Sequence, residues 1–210
     1  MKSLAFFIAF ASLICVCCVG NPEGKKAETT ESVAIDEKPA IGITYIIDTT
    51  QSQLVWKGNK ISTFHQGNVF IKSGNVFINS GIITGGNFVI DMTTISNNDL
   101  KGEDKDKLLK HLKSDDFFAV SIYPEATFEI TGVKAGNTPS EVQISGNLTI
   151  KAISKNITFD AKIQELSDSL IKCSADFNIK RADWGINYEG KKDDLISKEI
   201  NFKISIVAKK

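Results

Sequence analysis

The sequence predicts an all-β domain of antiparallel strands, folded as a sandwich or barrel, with one short helix inserted among the strands. Three observations carry this. Apolar and polar residues alternate with period two in many segments, which gives each pleated strand one dry and one wet face. Short clusters of Gly, Asn, Ser and Asp separate the runs at hairpin spacing. The runs are not apolar on both faces, as buried parallel strands are. A chain of 210 residues with 42% hydrophobic and 24% charged content suits one globular domain plus a tail. Basic and acidic residues balance at 25 each, so no cationic footprint marks a nucleic-acid partner.

The first element, residues 1–18, has one early lysine and an apolar run from Leu4 to Val16. That run is shorter than a membrane span and matches a signal-peptide core. The segment resembles a bacterial lipoprotein signal, with Cys18 as the lipidated residue because polar sequence begins soon after it. Cys17 is the other candidate; Val16 precedes Cys17 and Cys17 precedes Cys18, where a small Gly or Ala is usual, and ordinary secretion is the alternative. Residues 19–42 are rich in Glu, Lys, Thr and Pro and read as a disordered tether that holds a domain at residues 43–210 off a membrane. Cys173 is then the lone cysteine of the body, read as a small buried apolar residue.

In the body, "KSGN" at 72–75, "ITGGN" at 83–87, "KAGNTPSE" at 134–141 and "ELSDS" at 165–169 read as hairpin connections. "EDKDKLLKHLK" at 103–113 is the helix, with Asp99 or Ser96 as its cap. Its acids come first and its bases last, which complements the helix dipole. Five strands follow. "ATFEITGV" and "EVQISGNLTI" alternate, the second less cleanly. "NITFDAKI" aligns Ile157, Phe159, Ala161 and Ile163 on one face. "IKCSADFNIK" aligns Ile171, Cys173, Ala175, Phe177 and Ile179, and "EINFKISIVAKK" aligns Ile200, Phe202, Ile204 and Ile206.

No Gly-x-Ser-x-Gly elbow, His-Glu-x-x-His pair or phosphate loop is present, so the chain reads as a non-enzyme. Two histidines and one body cysteine lack metal-ligand spacing, and neither a metal nor a cofactor is expected. Thirteen Phe against two Trp and three Tyr supply apolar bulk with few hydrogen-bonding handles.

Six pieces together resemble the YceI-like family of bacterial lipid-binding proteins. They are "WKGNK" (56–60), "FHQGNVF" (64–70), "GGNFVIDMTTI" (85–95), "LLKHLKSDDFFAVSIYPEATFEI" (108–130), "ISGNLTIKAISKNITF" (144–159) and "IKRADWGINYEG" (179–190). Trp184 stands where the family usually has Phe, and Ala152 where it usually has Gly. The resemblance implies an extended, eight-stranded antiparallel lipocalin-like barrel. It also implies an apolar tunnel for an isoprenoid lipid, a quinone or a prenyl pyrophosphate. Phe70, Phe88, Phe117, Phe118, Phe128, Phe159, Phe177, Trp184 and Phe202 are the candidate tunnel lining. His65, Lys110, His111, Lys113 and Arg181 are the candidates to meet a polar head group. Competing roles stay open: a helix cap for His111, an ion pair with Asp183 for Arg181, and a solid core for the Phe set. The expected setting is the envelope of a Gram-negative bacterium. There the chain would be periplasmic and membrane-anchored, with the lipid and the membrane as partners and a homodimer allowed. A solid barrel acting as a stress-response or surface interaction module is the rival reading.

Overall fold

The computed structural model describes residues 19–35 and 42–210. The leader and Cys18 lie outside the described residues. The chain forms β1 (Lys25–Lys26), β2 (Glu28–Glu31), β3 (Ile43–Ile47), β4 (Gln53–Lys60), β5 (Phe64–Asn79) and β6 (Ile82–Asp91). Helix α1 (Gly102–Lys113) precedes β7 (Glu125–Ala135), β8 (Glu141–Ile150), β9 (Ile153–Leu166), β10 (Leu170–Lys180), β11 (Gly190–Lys191) and β12 (Asp194–Lys209).

Antiparallel pairing runs β5–β6–β7–β8–β9–β10–β12, and β3 and β4 together bridge β12 back to β5. The sheet thus closes as the expected eight-stranded barrel with one short helix. Closure removes the open edges that make a free sheet stick to others. Tyr45, Ile47, Val76, Ile78, Ile171 and Ala208 pack near the β5–β6 and β9–β10 hairpins. A larger core runs from the barrel's middle to α1, which buries Leu112 and packs Leu108 against it.

Two expected turns prove to be strand. "KSGN" lies inside β5 and "ITGGN" inside β6, joined by a hairpin at Ser80–Gly81. Their glycines answer to crowding: a Cβ on Gly74 would sit 2.7 Å from the Asn87 carbonyl, and one on Gly86 2.7 Å from that of Asn75. The connections at 134–141 and 165–169 lie at the β7–β8 and β9–β10 hairpins. The α1 N-cap is Lys101, with no side-chain bond; Asp99 and Ser96 are engaged by β5 instead.

The expected disordered tether is the largest departure. Residues 25–31 form β1 and β2, which insert between β9 and β10. The strand runs parallel to β10 and antiparallel to β9. Just before it, Pro22 takes a hydrogen bond from Asn178 and Asn21 one from Ser197. This polar segment is held by backbone pairing and by the Asn178 amide and the Ser197 hydroxyl on the barrel's outer face, where Asn178, Ser197 and Asn201 are buried. Residues 36–41 lie outside the described residues.

Candidate ligand-binding site

Because successive side chains on a strand point to opposite faces, every stave sends alternate residues inward. The inward set leaves an apolar cavity of about 150 Å³ in the middle of the barrel. Leu54, Trp56, Val69 and Ile71 line it from β4 and β5, Ile144 and Leu148 from β8, and Ile200's neighbours Phe202 and Ile204 from β12. Met92, Ile95 and Phe118 line it from the segments flanking α1. Among the described residues, Ser174 is the one hydroxyl residue in the lining. Burial pushes the Cys173 thiol up to about 11, as expected for a group that faces hydrocarbon.

A ladder of rings follows the wall. Phe88 and Phe128 have centroids 6.2 Å apart, Phe128 and Phe159 5.8 Å, Phe159 and Phe177 4.1 Å, and Phe177 and Phe202 6.1 Å. A dry apolar space of about 150 Å³ accommodates one benzene-sized group. The ladder therefore sets how much hydrocarbon fits.

Six expected lining residues are placed at the cavity: Phe88, Phe118, Phe128, Phe159, Phe177 and Phe202. Phe70 is not; it is 63% exposed, because Val69 and Ile71 take the inward positions on either side of it. Phe117 is buried under α1 beside His111 and Tyr188 rather than in the lumen. Trp184 is fully buried outside the cavity lining, and its indole N–H donates to the Leu148 carbonyl at 3.0 Å.

The five head-group candidates do not converge. His65 pairs with Asp99 at 2.7 Å. His111 lies edge-on between Phe117 and Tyr188, and its Nε2 is 3.1 Å from Asp116. Lys113 donates to the Thr93 carbonyl at 2.8 Å, and Lys110 is exposed. Arg181 is buried and donates to the carbonyls of Ser197 and Ile186, while Asp183 faces Lys180 at 3.7 Å, so the alternative of an Arg181–Asp183 ion pair is not what the structure has. Burial holds the Arg181 guanidinium below its ordinary value. Among the described residues, no group of three or more His, Cys, Asp or Glu is placed to hold a metal.

Sequence reasoning missed the aliphatic lining from β4, β5 and β8, although period-two alternation in "QLVW" and "EVQISGNLTI" carried that signal. It also missed a second cavity, an outer cleft of about 950 Å³ beside the β9–β10 seam.

A model of the YceI-like domain family matches residues 45–208. Over 77 residues, 37% of this chain, the sequence is 35% identical to Protein YceI of Escherichia coli O157:H7. It is 48% identical over 54 residues, 26% of this chain, to a UPF0312 protein of Pseudomonas aeruginosa strain LESB58. These matches span 36% and 27% of the curated relatives' own lengths. Among solved structures, Burkholderia cenocepacia BcnA superposes with a TM-score of 0.65 at 18% identity, over 77% of this chain and 99% of that one. A polyisoprenoid binding domain from Saccharophagus degradans, implicated in plant cell wall breakdown, gives 0.58 at 17% identity, over 79% and 97%. A Campylobacter jejuni YCEI protein gives 0.53 at 23% identity, over 67% and 82%. At these identities the structural likeness establishes a shared barrel.

Proposed function

The chain belongs to the YceI-like domain family, and from that premise we propose that it binds an isoprenoid-type lipid in its barrel without chemical turnover. The observation that carries this reading is the lumen itself, a space walled by hydrocarbon and rings. The polyisoprenoid binding domain that shares the fold supports the choice of ligand class. A quinone and a prenyl pyrophosphate both belong to this ligand class, since each joins a branched apolar tail to one polar end.

Burying a CH₂ contributes about 0.8 kcal/mol relative to water, so one isoprene unit contributes about 3–4 kcal/mol. A tail leaving a bilayer is already dry, so its transfer to the lumen is nearly neutral. The barrel therefore acts as a reversible carrier or store. The proposed setting is the envelope of a Gram-negative bacterium, with the chain periplasmic and held at a membrane by a lipid on Cys18.

One observation favours a second reading. The ring ladder leaves only about 150 Å³ free, as a solid barrel serving as an interaction or stress-response module would. Organic extraction of the full chain purified from its host, followed by mass spectrometry, separates the two. The carrier yields a prenyl lipid in near-stoichiometric amount. A chain that yields none, and takes none up on incubation, is the module.

A further inference from the structure

The direct pairing of the barrel wall is interrupted between β9 and β10. Their mutual pairing ends at the Ala161–Ala175 rung. Below it, β10 pairs with Lys25 and Lys26, while β9 pairs with the inserted strand only from Thr158 onward, opposite Glu28. Phe159 and Asp160 therefore have no rung across this seam. The outer cleft meets the lumen at the same place: Phe159, Ala161, Ser174, Ala175, Phe177 and Ile204 line both. The gap has an inner leaf, the Phe159–Phe177 stack, and an outer one, the Lys25–Asp160 pair at 2.7 Å.

The inserted strand is a light seal. Opposite Ile157, Thr29 faces inward, and so does Ala27 two residues before it. One methyl and one hydroxyl thus stand where neighbouring strands place Ile and Phe. Among the described residues the buried Thr29 hydroxyl has no hydrogen-bond partner, which costs stability. Among the described residues its ion pairs, Lys25–Asp160 and Glu31–Lys155, are largely exposed on at least one side, and exposed pairs hold weakly.

We propose that this seam is a lateral portal and head-group site for an amphiphile with one polar end and an apolar tail, and that residues 25–31 are its displaceable seal. The tail passes sideways between β9 and β10 into the lumen. The polar end stays in the cleft, whose rim mixes lysines such as Lys134 and Lys162 with carboxylates such as Glu141 and Asp176. A sideways path spares the tail from threading past α1 or the packed opposite end. The inference rests on the lipid-binding reading and adds the route.

Glu28 and Thr158 are directly opposed on an antiparallel pair and both point outward, so Glu28→Cys with Thr158→Cys is within disulfide reach. The test uses the full chain, with the parent chain oxidised in parallel as control, and phosphatidylcholine vesicles carrying radiolabelled geranylgeraniol. Oxidation of the double variant is expected to slow label uptake at least tenfold, and reductant to restore it. Lys25→Ala, which removes the outer leaf, is expected to accelerate uptake severalfold. Equal uptake in locked and reduced chains, together with an unchanged Lys25→Ala rate, overturns the portal and leaves the lipid reading standing. A chain that takes up no label in either redox state removes the lipid reading and the portal together.

Discussion

Phe159 and Phe177 stack across the seam of the barrel, their ring centroids 4.1 Å apart and their planes 14° from parallel. They meet at the level where no backbone rung joins β9 to β10 across the seam. The stack therefore replaces part of the ladder and also fills the lumen.

Phe177→Ala is expected to cost about 3–5 kcal/mol, the usual loss for truncating a buried ring. It also enlarges the cavity next to the seam. Geranylgeraniol should then raise the melting temperature of Phe177→Ala by more than it raises that of the parent. Calorimetry with and without the prenol checks this. An equal rise in both chains contradicts the position given to the tail.

The β8–β9 hairpin turns on Lys151 and Ala152, both in the left-handed region at φ of 51° and 59°. A left-handed L-residue costs about 1–2 kcal/mol, while glycine gives back part of that relief as chain entropy. Ala152→Gly should thus stabilise the chain by about 0.5–1 kcal/mol, read from a shift in the urea midpoint at constant slope.

Burial opposes ionisation of Asp99, but the Gln66 amide, His65 and Asn97 hold its carboxyl below the ordinary value. A carboxyl depressed by folding adds stability above its unfolded value, about 3.9. That contribution is lost as pH falls through the lower folded value. Asp99→Asn should cost about 1–2 kcal/mol at neutral pH. Denaturation at a series of pH values should show parent and variant converging below about pH 4. A gap that stays constant into acid would assign the loss to packing.

Trp184→Phe removes the indole donor from the Leu148 carbonyl while keeping an aromatic ring in the fully buried site. The expected cost is about 1–2 kcal/mol with the fold kept. Near-ultraviolet dichroism and a melting curve check both halves of that statement.

Most of the fold was legible because alternation survives wherever a stave has one wet and one dry face. The runs containing Phe128, Phe159, Phe177 and Phe202 each gave the right face. Phe70 misled as a lone aromatic, although its neighbours Val69 and Ile71 held the inward phase. "KSGN" and "ITGGN" misled because glycine marks close backbone approach as readily as a turn. Residues 25–31 gave no hydrophobic period at all. Ala27 and Thr29, the residues that face inward, are small, and the rest of the strand is polar and exposed. The head-group candidates were chosen for charge. Charge alone does not reveal that His65, Lys113 and Arg181 already have partners within the protein.

Trp56 lines the lumen and Trp184 does not, so the Trp184→Phe chain carries one reporter inside the barrel. The direct measurement is quenching of that reporter by a prenol brominated on its tail, titrated into the full chain. Saturable quenching at one prenol per chain, relieved by unlabelled geranylgeraniol, is the expected result. Fluorescence that falls no further than it does with a short water-soluble brominated alcohol would contradict a hydrocarbon tail lodged in the barrel.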